Sequence, residues 1–284
     1  MNEIIVHIIG TAQDGGYPQI GCKEKCCTLA LKNQLLSRFP SCIALVDTEA
    51  QKYWLFDVTP DIKKQLQMLD SYDCSLAGVF ITHAHIGHYM GLINFGLEVM
   101  NLDEMPVYVM PKMKSFLETN SIMDQLIRND NINLIELTQE EYYAIDGAMI
   151  KPFNVPHRNE LSETVGFQIK GKEKSIIYLP DIDSWDGWEE NLLDLIKSND
   201  ILLLDGTFFS KDELKSRDIS KVPHPSITDT MARLSDLDLE QKRKIHFIHF
   251  NHTNQVLHDE SDAANSVIEN GFLLSKEMQS FKIS

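Results

Sequence analysis

The chain has 284 residues, 43% of them hydrophobic, which is enough to bury a substantial core without disulfide support. Lys and Arg number 26 against 42 Asp and Glu, and the net charge of −16 argues against nucleic acid as a partner, because a phosphate backbone rewards clustered cations. No stretch approaches the roughly 18 apolar residues of a membrane span, so no membrane partner is expected either. The N-terminal MNEIIVHIIG reads as a first strand (3–10) rather than a leader: an acidic residue precedes a short apolar run, with no basic region or small-residue cleavage site. After a cysteine-rich CKEKCC (22–27) come strand-like runs at SCIALVDT (41–48) and KYWLFDV (52–58). PDIKKQLQML (60–69) follows with a helical pattern, Pro60 in its first turn and Ile62, Leu66 and Leu69 on its apolar side. Strand patterns return at LAGVFITH (76–83), PVYVM (106–110), NINLIEL (131–137), MIKPFNVPH (149–157), TVGFQIKG (164–171) and KSIIYLPD (174–181). The helical WEENLLDLIKS (188–198), strand DILLLDG (200–206), helical SITDTMARLSD (226–236) and strand KIHFIHF (244–250) complete the series. Many strands with helices between them predict two sheets flanked by helices, an α/β sandwich. No repeat, low-complexity tract or Gly/Ser linker interrupts the pattern, so a single domain over 1–284 is expected.

ITHAHIGHYM (81–90) places His83, His85 and His88 within six positions at the end of a strand. His83 and His85 can turn to one side and His88 can join them from the following turn, a spacing that suits metal ligation; neutral imidazole accepts Zn, Mn or Fe. Further candidates occupy equivalent strand ends: His157 in FNVPH, Asp181 in IIYLPD and His249 in FIHF. The cysteines total five, and Cys22, Cys26 and Cys27 crowd together as in a metal knuckle of a reducing, cytoplasmic environment rather than a disulfide framework. Cys42 and Cys74 lie in or beside apolar runs and read as core. His7 and His246 alternate with apolar residues and read as sheet histidines, His258 as solvated before a helix start, and His224 is held by flanking prolines on a stiff loop.

THAHIGH, followed by VPH, YLPD and FIHF, resembles the metallo-β-lactamase superfamily, whose motif is H-x-H-x-D-H with a later His, a bridging Asp and a final His. Within it the chain is similar to the branch containing the PqqB protein of pyrroloquinoline quinone biosynthesis and the PhnP phosphodiesterase. GTAQDGGYPQIGC (10–22), VTPDI (58–62), LLDGTFFSKDEL (203–214), HPSI (224–227) and IHFNHTN (248–254) carry that likeness, which spans nearly the whole chain. The resemblance implies the αββα sandwich. It implies a first metal on His83, His85, His157 and Asp181 and a second on His88, Asp181 and His249. Asp57 would orient the histidine loop, and His224 would act as general acid. Cys22, Cys26, Cys27 and His252 would hold a structural zinc, although Glu24 stands at the middle cysteine of the branch's C-x-C-x-x-C, so that Cys26 replaces it. Gly87 stands where the motif has its aspartate, so weaker binding is expected at the second site, with Asp14 and Asp183 as the loop carboxylates able to substitute.

Three activities follow from these readings. The first is a metal-dependent hydrolase attacking a phosphodiester or ester-type bond of a small molecule, with zinc, manganese or iron in the active site. The second is iron-dependent oxidative chemistry of the PqqB kind, and the third a non-catalytic metal or small-molecule binding module. A homodimer is left open.

Overall fold

Strands whose residues are apolar on both faces need cover on both faces, and this sequence has several. In the computed structural model, which describes residues 3–214 and 222–284, CIALVD, SIIYL and ILLLD are buried at every position. The first sheet contains β1 (Ile4–Gly10), β2 (Cys42–Asp47), β3 (Lys52–Phe56), β4 (Ser75–Phe80), β5 (Met105–Val109) and β6 (Ile132–Glu136). The second contains β7 (Tyr143–Ile145), β8 (Ala148–Asn154), β9 (Val165–Lys170), β10 (Ser175–Leu179), β11 (Ile201–Asp205), β12 (Ile245–Ile248) and β13 (Leu273–Leu274). β14 (Ser280–Lys282) returns to the edge of the first, giving the orders β14-β1-β2-β3-β4-β5-β6 and β13-β12-β11-β10-β9-β8-β7.

Each sheet is mixed. β1, β2 and β3 pair antiparallel and β3 to β6 parallel, while β7 to β10 pair antiparallel and β10 to β13 parallel. As a result β1, β3, β4, β8, β10, β11 and β12 all finish at one edge of the sandwich, and the loops leaving them carry the chemistry-bearing side chains.

The helices are α1 (Lys25–Lys32), α2 (Ile62–Gln67), α3 (Ile86–Tyr89), α4 (Pro111–Thr119), α5 (Ser121–Arg128), α6 (Glu189–Ser198), α7 (Ile227–Arg233), α8 (Leu239–Lys242) and α9 (Asp262–Glu269). Local chemistry starts several of them: Ser226, Asp238 and Ser261 cap α7, α8 and α9 through their side chains, and Pro111 opens α4. Three apolar layers result. Phe56, Phe80, Phe167, Tyr178 and Ile248 fill the space between the sheets. Met113, Leu117, Met123 and Leu126 of α4 and α5 pack on the outer face of the first sheet, while Leu192, Ile196, Met231 and Val267 of α6, α7 and α9 cover the second. This is the two-sheet sandwich flanked by helices that the sequence predicts. It adds the short edge strands β7, β13 and β14, two or three residues each, which carry too little pattern to read locally. Cys42 is buried; Cys74 packs only at the margin of the outer layer.

Candidate metal centre

At the shared strand edge, Asp57 follows β3 with a left-handed backbone, φ 69°. Its carboxylate is wholly buried and accepts from Thr82 N and Thr82 Oγ1, both at 2.8 Å, and from Tyr178 Oη at 3.2 Å. The oxygen that takes the Tyr178 bond also lies 2.7 Å from His88 Nδ1. Asp57 thus ties the end of β4 to α3 and turns His88 so that Nε2 faces the cleft. Thr82 Oγ1, in turn, lies 2.9 Å from His83 Nδ1, so that ring's Nε2 faces His85 and Asp181.

The structure brings the six expected ligands together, with the rings of His83, His85, His88, His157 and His249 around Asp181. His83 Nε2 lies 2.9 Å from His85 Nδ1, and His157 Nε2 lies 3.2 Å from the same atom. Asp181 Oδ2 is 3.4 Å from His83 Nε2, 3.2 Å from His88 Nε2 and 3.4 Å from His249 Nε2. One atom each from His83, His85, His157 and Asp181 falls within 4.8 Å of the others, as does one each from Asp14, His88 and His249. Burial pulls the pKa of His83 well below its ordinary value and that of His85 down to about 4, so both imidazoles are neutral, the form that ligates metal.

A test of fit comes from polar atoms left over. His88 Nε2, His249 Nε2 and Asp14 Oδ1 are buried with no hydrogen-bond partner among the described residues, and all three converge. Buried donors and acceptors are otherwise nearly always satisfied, so converging orphans of this type are what a cation would satisfy. The imidazole and carboxylate donors suit zinc, manganese or iron.

His224 is placed on the same cleft. Its Nδ1 lies 2.7 Å from Asp205 Oδ2 and 3.4 Å from Asp181 Oδ1. Burial opposes its charge, but Asp205 and Asp181 together raise its pKa to about 9, leaving an imidazolium in the metal-free chain. Thr207 Oγ1 bridges His224 Nδ1 at 3.2 Å and His249 Nδ1 at 2.9 Å. His249, like Asp57, has a left-handed backbone, φ 68°, a strained conformation of the kind that collects at functional sites.

Asp183 does not reach the second histidine pair. Its amide donates to Pro156 O at 2.8 Å, and its Oδ1 lies 2.7 Å from His157 Nδ1, against the side of that ring opposite Nε2 rather than beside His88 and His249. Sequence reading assigned no role to Asp205, Thr207 or Arg158. Asp205 carries the same signal as Asp181, an acid closing an apolar strand, and could have been found by it. Arg158 gives no such signal; its Nε is buried without a hydrogen-bond partner among the described residues, and its charge contributes to keeping His85 neutral.

A second cluster lies beside the first. Cys22, Cys26, Cys27 and His252 each place one donor atom within 4.8 Å of the others. His252 Nδ1 is 3.3 Å from Cys27 Sγ and 3.8 Å from Cys26 Sγ, and Gln19 N donates to Cys27 Sγ at 3.3 Å. Burial, with the neighbouring sulfurs, raises the Cys27 thiol to about 12 when no metal is bound. His7 and His246 are buried in the first and second sheets respectively, with Tyr72 Oη 2.5 Å from His7 Nε2.

The sandwich with its strand-edge His/Asp cluster defines a metallo-β-lactamase fold, and residues 53–250 match the family model described as the beta-lactamase superfamily domain; the chain belongs to that family. It is similar to coenzyme PQQ synthesis protein B of Methylorubrum extorquens, with 25% identity over 96% of this chain and 97% of that protein. The crystal structure of Zn2+-bound PqqB from Methylobacterium extorquens superposes with a TM-score of 0.82 at 23% identity, covering 98% of this chain and 99% of that one. A diphosphatase of the PhnP family gives a TM-score of 0.68 at 18% identity, over 99% and 97% of the two chains. No described helix is long and apolar enough to cross a membrane.

Proposed function

We propose that the chain is a metal-dependent hydrolase that cleaves a phosphodiester or ester-type bond of a small anionic molecule. The observation that carries this reading is Asp181, whose carboxylate lies between His83, His85 and His157 on one side and His88 and His249 on the other, within 3.2–3.7 Å of four of these rings. Metal held there would supply Lewis acidity and lower the pKa of a coordinated water. The chain's own residues supply the rest. Asp57 and Thr82 fix the ring orientations, and Asp205 and Thr207 hold His224 with a proton available for a departing oxygen. Arg158, with its buried Nε unpartnered among the described residues, offers a guanidinium to an anionic group of the substrate beside His157.

A role in pyrroloquinoline quinone synthesis is the second reading, favoured by the 25% identity with proteins named for that pathway. Purification without added metal, elemental analysis and an assay with bis-(p-nitrophenyl) phosphate separate the two. Hydrolysis by the metal-loaded protein, lost together with the histidine-site metal in a His83→Ala/His85→Ala variant that still folds, is expected. Iron in that site with no hydrolysis would favour the oxidative role, and unchanged metal content in the variant would reject the ligand assignment.

A further inference from the structure

The histidine motif has lost its acid, but the acid's place is filled. A Cβ built on Gly87 would lie 2.3 Å from Asp14 Oδ1 and 2.7 Å from both Asp14 Cα and Cγ, so the Asp14 carboxylate occupies the space into which a side chain at position 87 would grow. The same Oδ1 lies 3.3 Å from His88 Nε2 and 3.8 Å from His249 Nε2, and it is one of the buried oxygens with no hydrogen-bond partner among the described residues. Asp183, the other nearby loop acid, lies against His157 Nδ1 instead, at 2.7 Å.

We propose that Asp14 is a ligand of the second metal and that the carboxylate of this site has moved from the histidine motif to the N-terminal loop, with Gly87 kept small to admit it. This rests on the metal reading above, but not on hydrolysis. The loop is built to hold Asp14 there. Gln13 N donates to Phe250 O at 2.9 Å, Ala12 forms a bridge with Phe250, and Asn251 Nδ2 donates to Gln13 Oε1 at 2.5 Å, which fastens the segment to the residues directly after His249. Farther along the same loop, Cys22 joins the cysteine cluster with His252, so both ends of the segment carrying Asp14 are anchored to the chain that presents His249. A carboxylate from the loop contributes the same charge as one from position 87, so the second site regains its full negative complement. Gly87→Asp by itself, although it restores the acid of the motif, drives a side chain into Asp14.

The test is a titration of the metal-free full-length chain with Mn2+, followed by electron paramagnetic resonance; thiolates bind this hard cation poorly, so the cysteine cluster stays silent. The wild-type chain should take up two Mn2+ with a spin-coupled signal, since Asp181 is shared. Asp14→Asn should bind the second ion at least about tenfold more weakly, the lower end of the loss on removing even an outer partner, and show one uncoupled ion. Gly87→Asp alone should also weaken the second ion, and Asp14→Gly/Gly87→Asp together should restore two coupled ions. Circular dichroism identifies any variant that has failed to fold, and Asp14→Asn, which keeps the side-chain volume, then decides alone. Fewer than two ions on the wild-type chain, two coupled ions of unchanged affinity on Asp14→Asn, or tighter binding by Gly87→Asp with Asp14 intact would each overturn the proposal. Loss of hydrolysis with this metal pattern preserved would count against the proposed activity and leave Asp14 in place.

Discussion

Asp57 and Glu277 are two acids near chain turns with opposite purposes. Asp57 is surrounded by donors: the backbone and hydroxyl of Thr82, the hydroxyl of Tyr178 and His88 Nδ1. Its strained backbone is affordable because all of these hold it at once. Glu277 accepts from Phe39 N at 2.6 Å, but burial outweighs that bond and raises its pKa to about 7. The folded chain therefore holds a proton that the unfolded chain, with an ordinary value near 4.5, gives up. Its stability contribution is complete below the unfolded value and is lost as pH rises through about 7. At about 1.4 kcal/mol per unit, and allowing for partial exposure, the loss is about 2 kcal/mol. Glu277→Gln keeps the bond from Phe39 N and cannot ionise, so its urea midpoint should gain on the wild-type one between pH 5 and pH 8. Parallel midpoints across that range would reject the account.

At the scale of elements, α1 is too short to be stable by itself and is held by what its cysteines touch. Cys26 and Cys27 lie in its first turn, and His252 comes from the loop after β12, so a zinc in this cluster would join two segments that are far apart in sequence. The clamp spans the same loop that carries Asp14 and the same turn that carries His249. Cys26→Ser should release one zinc per chain, lower the melting temperature by several degrees and weaken metal binding in the histidine cluster without touching it. Such small sites contribute several kcal/mol in isolated peptides, of which a large sandwich shows only part. Elemental analysis and a thermal scan check this; rapid reaction of all three thiols with a thiol reagent in the metal-loaded protein would count against it.

For the molecule as a whole, the two halves of the site come from different sheets. Asp57, His83, His85 and His88 hang from the first, while His157, Asp181, Asp205 and His249 hang from the second. Their mutual distances therefore depend on how the sheets seat, and that is set by aromatic rings in the layer between them. Phe167 of β9 meets Phe56 and Phe80 of the first sheet edge-on, with centroids 5.4 and 5.6 Å apart. Phe167→Ala should cost about 3–5 kcal/mol, most of it as a cavity the sheets cannot close, and should weaken metal binding by loosening the spacing across Asp181. Chemical denaturation and metal titration of the one variant read both effects; a stability loss below about 1 kcal/mol would show that the interface repacks freely.

By itself the sequence determined the strands of the interior, a sandwich of two sheets flanked by helices, and the histidines and Asp181 at the strand ends. These are local properties: an apolar run announces a buried strand, and the residue that ends it lies at the sheet's edge. The family motif sharpened the same reading. The edge strands β7, β13 and β14 became visible only in the fold, because segments of two or three residues exist as strands through the neighbours they pair with. The partnership of Asp205 with His224, the diversion of Asp183 to His157 and the meeting of Asp14 with Gly87 were likewise decided by tertiary structure. Each depends on which loops the two sheets bring face to face. A glycine in a motif reads as a missing ligand until the carboxylate that fills its place is seen arriving from another loop.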